Sequence, residues 1–318
     1  MATAVDSPRK RRLRRPRWIK EPFNREARAG YLFILPWVVG FLVFTLGAMV
    51  YSLVISFTNY DLSTDTATPV GFSNYELLFK DPKVMTSLGN TLYYAVLSVP
   101  LEICFALLLA YLLHRIPERG AGVFRIIYYL PKMTPSVAAA SIFLLLLNGN
   151  SGAINGFLGI FGIDGPQWLI DPDWMKPSII IIGLWSVSGT MLILLAALKN
   201  VPQDLYEAAS LDGAGAIRQF FSVTLPMISN ALFFCTIVLT IAALQVFDQA
   251  FLLFYRDTTS AAPDAALFVG VYLFQQAFQQ FNMGFAAAIA WLLFVIILLI
   301  TVFQVRFGNK FVYYEGGR

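Results

Sequence analysis

Apolar residues in this chain run in long blocks separated by short polar segments. The blocks cover 29–60, 84–113 (interrupted by Glu102), 133–163, 177–198, 219–247 and 265–305. About 20 apolar residues in a helix cross the hydrocarbon core of a bilayer. The last block is too long for one crossing, and its first half carries Gln275, Gln276, Gln279 and Gln280 at i,i+4 spacing. Four amides facing lipid are costly, so that half predicts an amphipathic segment at an interface or cavity, with a crossing beginning at Met283. The pattern therefore predicts an all-α polytopic membrane protein with six transmembrane helices, near 31–57, 88–113, 127–147, 178–198, 229–254 and 283–305.

Composition agrees and excludes alternatives. Of 318 residues, 58% are hydrophobic and 13% charged, where a soluble domain carries about 25% charged residues. A soluble enzyme, a nucleic-acid-binding module and a disordered scaffold do not fit. Cys104 and Cys235 lie in separate apolar blocks and read as small buried hydrophobes, not a disulfide. With one histidine, His114, no metal centre can be assembled. His114 and Arg115 instead suit a helix C-terminus.

Charge placement orients the chain. Ten Lys and Arg fall in residues 1–28, and 19 of all 23 fall in the tails and in the segments after the second and fourth predicted helices. The positive-inside rule places both termini in the cytoplasm. The basic tail then reads as a membrane-side anchor, not a nucleic-acid arm. A cleaved signal peptide is not expected, because the first apolar run is too long. The outer loops are acidic and Gly/Asn-containing, long enough for a docking face but not for a folded domain.

The most informative stretch joins the fourth and fifth predicted helices, residues 200–226. Pro202, Asp204 and Glu207 suit the start of a short helix, and Gly213 supplies its stop. Leu205, Ala208, Ala209 and Asp212 share a face of small residues that permits close approach by another protein. A second short helix is expected to turn Ile217, Phe220 and Phe221 inward before Leu225-Pro226 leads into the fifth crossing.

Glu207-Ala208-Ala209, Gly213 and Leu225-Pro226 resemble the EAA loop of bacterial ABC-importer permeases, and Asp212-Gly213-Ala214 resembles its carbohydrate-uptake branch, the maltose- and glycerol-phosphate-type permeases. Val223 stands where that pattern usually has Ile. Weaker similarity extends over 84–306: Tyr129-Leu130-Pro131, Gly152 to Asn155, Phe247-Asp248, Tyr272 and Gly284 to Ala288. The family's Thr-x-Gly-Gly-Pro run after the fifth helix is absent; residues 256–263 stand there instead.

The resemblance implies a type I importer permease fold. Residues 1–28 would be a basic cytoplasmic tail, and 29–83 the first helix and outer loop. Residues 84–306 would be the permease core with its coupling loop at 200–226, and 307–318 a cytoplasmic tail. It implies a bacterial plasma-membrane subunit that pairs with a second permease, different from itself. It would dock on two ATP-binding subunits through Glu207, Ala208, Ala209, Asp212, Gly213, Ala214, Leu225 and Pro226, and receive a sugar from an extracytoplasmic binding protein. ATP and Mg would belong to the partner ATPase. This chain has no Gly-Lys-Ser/Thr phosphate loop, so no catalytic or cofactor residues are expected.

For the solute, an aromatic face and fixed polar groups are needed. Trp185, Ser186 and Ser188 in the fourth helix, with Gln245 and Asp248 in the fifth, supply them, and intramembrane ionisable groups are functional suspects. Glu102 reads as a carboxylate satisfied by a neighbouring helix or protonated. Polyol or glycerol-phosphate solutes remain an alternative. A self-contained secondary transporter would need an internal repeat and a charge relay, and neither is visible. A membrane enzyme on lipid-linked substrates would need clustered acids or histidines.

Overall fold

A computed structural model describes residues 25–61, 66–255 and 264–308, most of them helical. Residues 1–24, the 256–263 run and residues from 309 onward lie outside the described chain, and with them most of the basic tail and the C-terminal tail. The chain divides after Val54 into two units.

The first unit contains α1 (Arg25–Gly40), a π-helical stretch Phe41–Leu46 and the start of α2 (Gly47–Ser56). Trp37 and Phe41 stack with ring centroids 5.6 Å apart.

The second unit opens with an antiparallel hairpin, β1 (Thr58–Asp61) and β2 (Thr66–Pro69), in the register Thr58↔Pro69 to Asp61↔Thr66. This small sheet departs from the all-α expectation; Thr and Tyr suit a strand once the apolar block has ended. There follow α3 (Ser73–Lys80), α4 (Pro82–Arg115), α5 (Glu118–Met133), α6 (Ser136–Leu146), α7 (Ala153–Ile160), α8 (Pro172–Trp185), α9 (Ser188–Lys199) and α10 (Gln203–Leu211). The chain continues with α11 (Ala216–Gln219), α12 (Leu225–Met227), α13 (Ser229–Leu244), α14 (Asp248–Ala250), α15 (Val269–Phe274) and α16 (Met283–Gly308).

Among the described residues, three helices are long and apolar enough to cross a membrane: Arg28–Ser56, Pro82–Arg115 and Met283–Gly308. Three more candidate crossings are bent pairs, giving up to six if each pair is one crossing. Gly122–Met133 meets Ser136–Leu146 at 97°, Pro172–Trp185 meets Ser188–Lys199 at 49°, and Ala216–Met227 meets Ser229–Leu244 at 68°. The helices expected at 127–147 and 178–198 are interrupted at the first two bends, and the one expected at 229–254 begins after the third bend and breaks instead after Leu244.

Each interruption has a local cause or partner. Pro135 drives Thr134 to an extended backbone, φ −75° and ψ 125°, because its ring clashes with a helical predecessor. In α8, the Ser186 hydroxyl donates back to the Gly183 carbonyl at 3.2 Å, and Ser186 leaves the helix with φ −100° and ψ 15°, an alternative to the helical ladder open to serine. α13 ends at Leu244, and Phe247 adopts φ −140° and ψ −64° before α14.

α4 is the centre of packing, its length lying against α8, α9 and α13. Ala106 and Ala110, both fully buried one turn apart, meet Met191, Leu194, Leu198 and Cys235. Small residues let helix backbones approach where lipid offers no hydrophobic drive for association. Further along α4, Tyr94 and Val99 join a second cluster with Ile179, Leu244, Phe268 and Phe285. After Gly284, Ala286 and Ala288 are buried, small residues that again allow close helix approach. Cys235 is buried, whereas Cys104 is exposed, because it faces an open groove of α4 instead of the packed side.

The glutamines of the outer segment do not share one face. A π turn over Gln275–Gln279 re-times the helix, so Gln276 is buried while Gln279 and Gln280 are exposed. Gln276 donates to the Tyr272 hydroxyl at 2.9 Å, and Tyr272 donates to the Asp81 carboxylate at the start of α4. Burial, and then the bond to Asp81, push the Tyr272 phenol well above its ordinary range. Asn90 adds a second tie, donating to the Asp264 and Leu267 carbonyls at 2.7 and 2.9 Å while accepting from Lys176 at 3.1 Å.

Candidate functional site

Three of the helix interruptions contribute residues to one polar cavity of about 330 Å³, within the range of small-ligand sites. Its walls come from the middle of α4 (Tyr94, Glu102), the start of α6 (Ser136), the end of α8 (Gly183, Ser186), the unwound stretch after α13 (Gln245 to Phe247) and the start of α14 (Asp248, Gln249). Unwound backbone at membrane depth is tolerated only where protein buries it or it lines a wet cavity. The break after Leu244 meets that condition.

Of the residues expected to meet solute, Ser186, Gln245 and Asp248 line this cavity together. Trp185 is not among the lining residues; its ring meets Phe143 edge-on with centroids 5.3 Å apart. Phe247 supplies an aromatic wall instead, stacked on Phe251 at 5.3 Å. Ser188 is buried, and its hydroxyl has no hydrogen-bond partner among the described residues; it too lies outside the lining.

Glu102, expected to be satisfied by a neighbouring helix or protonated, and Tyr94, not singled out from the sequence, also line the cavity. A Cβ on Gly183 would sit 2.8 Å from the Glu102 Oε1 and 3.6 Å from the Tyr94 hydroxyl. The missing side chain therefore makes room for the carboxylate. The available signal was the i,i+4,i+8 spacing of Tyr94, Ser98 and Glu102, which continues Ser87, Asn90 and Thr91 as one polar stripe on an apolar helix.

The 200–226 segment forms a knob away from this cavity. Pro202 caps α10, and no residue of α10 is buried. Glu207, Ala208, Asp212, Gly213 and Pro226 are exposed; Ala209, Ala214 and Leu225 are half-buried. At its end the Gly213 N–H donates to the Ser210 carbonyl at 3.0 Å and the Ala214 N–H to the Ala209 carbonyl at 2.9 Å, with Gly213 at φ 76°. This paired stop requires the left-handed conformation that glycine adopts without strain.

The knob is braced internally. Gln219 Nε2 donates to the Ser210 hydroxyl at 2.8 Å and to the Ala214 carbonyl at 3.0 Å. Tyr206 and Thr224 hydroxyls meet at 2.9 Å. The inward turn expected of Ile217, Phe220 and Phe221 is only partly found. Phe220 packs edge-on against Tyr111 at 5.5 Å, but Ile217 and Phe221 are exposed. The four-residue α11 passes into a π turn over Phe220–Thr224, which changes their facing. They form, with Cys104, Leu107 and Leu108, an apolar groove of about 380 Å³. Behind α10 lies a polar cavity of about 380 Å³ lined by His114, Arg115, Gln203, Tyr206 and Gln219. No group of three or more metal-ligating side chains occurs among the described residues.

Residues 102–312 match the family described as "Binding-protein-dependent transport system inner membrane component". The chain belongs to that family. The probable ABC transporter permease protein YesP of Bacillus subtilis (strain 168) is 38% identical over 294 residues, which span 92% of this chain and 94% of YesP. The arabinooligosaccharides transport system permease protein AraP of Halalkalibacterium halodurans is 31% identical, spanning 91% of this chain and 90% of AraP. The crystal structure of a bacterial ABC transporter involved in the import of the acidic polysaccharide alginate contains a chain that superposes with a TM-score of 0.81 at 23% identity. The superposition covers 94% of this chain and all (100%) of that one. The helical architecture expected of an importer permease is therefore the one present, in a membrane protein of that family.

Proposed function

We propose that this chain is one permease subunit of an ATP-driven importer and forms half of the path for a sugar or oligosaccharide. The observation that carries the reading is the exposed, internally braced knob at α10. It presents Glu207 and Ala208 outward and ends on a glycine stop, as a part that must move as a rigid body under another protein's load requires. The names of relatives such as AraP support a saccharide as cargo, and the cavity's mixture of carboxylate, amide, hydroxyl and aromatic groups suits sugar hydroxyls and ring faces.

In this reading the three long helices and three bent pairs make six crossings with both termini cytoplasmic, in a bacterial plasma membrane. Residues 84–306 are the core, between a first helix with its outer loop at 29–83 and the tails 1–28 and 307–318. Glu207, Ala208, Ala209, Asp212, Gly213, Ala214, Leu225 and Pro226 meet an ATPase subunit, which holds the ATP and Mg. A different permease completes the pathway, and an extracytoplasmic binding protein delivers cargo. Ser186, Gln245 and Asp248 touch solute; Trp185 and Ser188 shape the break that carries Ser186.

Extraction in mild detergent tests the reading. The chain is expected to co-purify with an ATP-hydrolysing subunit whose turnover rises with saccharide-loaded binding protein. A chain that purifies without an ATPase, or an ATPase that ignores every saccharide, overturns it.

A further inference from the structure

The polar cavity is one-sided in its charge. Glu102 and Asp248 both line it, and every other lining residue is neutral: among the described residues no Lys, Arg or His reaches its wall. Neither carboxylate forms an ion pair among the described residues. Lys132 is exposed near the end of α5 and lies outside the lining. The two carboxylates, Glu102 and Asp248, only accept, while the Gln245 and Gln249 amides and the Tyr94 and Ser186 hydroxyls both donate and accept.

These groups favour one class of solute over another. Sugar hydroxyls are donors, and carboxylates accept from them through short, charge-assisted bonds. A uronate carboxylate, by contrast, would lose its hydration on entry and, although the amides and hydroxyls can donate to it, would meet two carboxylates in place of a counter-ion. Specificity against an unwanted ligand is commonly built as such a repulsive element.

Glu102 is the group held in place for this role. The Gly183 backbone, without a Cβ, lets Oε1 approach to 2.8 Å of where that atom would lie. Tyr94, one helical face along α4, closes the same wall.

We infer that Glu102 is a specificity-determining residue that binds hydroxyls of a neutral glycan and excludes acidic sugars from the cavity. The inference rests on the proposed role in saccharide import and names the class of saccharide.

The test uses the assembled importer in detergent without its binding protein, so that only the permease cavity selects. Saturation-transfer NMR is recorded with maltose and with digalacturonate at equal millimolar concentration. The wild type is expected to give a signal at least about tenfold stronger for maltose, a difference of one decade in binding. Glu102→Gln keeps the shape but replaces the carboxylate with a neutral amide, and is expected to narrow that ratio to about threefold or less on the same scale. Thr236→Ala, in α13 and outside the lining, loses only a hydroxyl that donates to the Leu232 carbonyl; it controls for general disturbance and should leave the ratio unchanged. Equal signals from both probes in the wild type, or an unchanged ratio in Glu102→Gln, overturn the inference and leave saccharide import standing. No signal from either probe, joined to an ATPase that ignores all saccharides, removes the import reading and the inference with it.

Discussion

The knob at α10 and the cavity beside α13 are built by opposite means. The knob is local: its cap, stop and braces all fall between Pro202 and Thr224, and its residues face outward. The cavity is assembled from α4, α6, α8 and the stretch after α13, with residues as far apart as Tyr94 and Gln249 sharing a wall. A local part can be carried as a unit between proteins, so its chemistry lies in its shape. A distributed part changes whenever its helices shift, so its chemistry lies in their spacing. The first suits coupling to a partner; the second suits alternating capture and release.

The sharpest way to break this comparison is Glu207→Lys. A reversed charge on the exposed knob should reduce saccharide-stimulated ATP hydrolysis to its unstimulated level while the fold and thermal transition stay as in the wild type. Retained stimulation would show that the knob is not the coupling part. A smaller effect is expected at the cavity. Gly183→Ala places a methyl against the Glu102 carboxylate, and overpacking of this kind costs about 1–3 kcal/mol; uptake should fall roughly tenfold, since 1.4 kcal/mol is a factor of ten. ATPase coupling through the knob should persist, and simultaneous loss of both would show that the two regions are not separable. The smallest effect is expected of Ser188→Ala. Its buried hydroxyl has no partner among the described residues, so removing it should leave the thermal midpoint unchanged or raise it by a few degrees, the shift expected of about 1 kcal/mol or less. A clear fall in the midpoint would reveal a partner that a second subunit brings.

The same contrast explains what could be read in the sequence. α10 was legible because its signals lie within a dozen residues: Pro202 before it, Asp204 in its first turn and Gly213 past its end. The helical crossings were legible as apolar blocks, and the division before Met283 falls where α16 begins. The breaks were not. Nothing between Trp185 and Ser188, or between Leu244 and Asp248, is a proline or glycine, and those helices end through backbone angles that tertiary packing sets. Glu102 was discounted because its environment comes from Gly183 and Gln245, which adjoin it only after folding. Pro135 did announce its bend, but the surrounding apolar run masked it.

α4 has a further consequence. Tyr111 borders the polar cavity behind the knob, and Glu102 borders the one beside α13. Nine residues separate them in one continuous helix, about 14 Å along its axis at 1.5 Å per residue. A helix resists stretching, so this interval acts as a fixed ruler. Were α4 to shift along its axis at Tyr111, Glu102 would shift with it, so in the proposed importer the two cavities would keep one spacing.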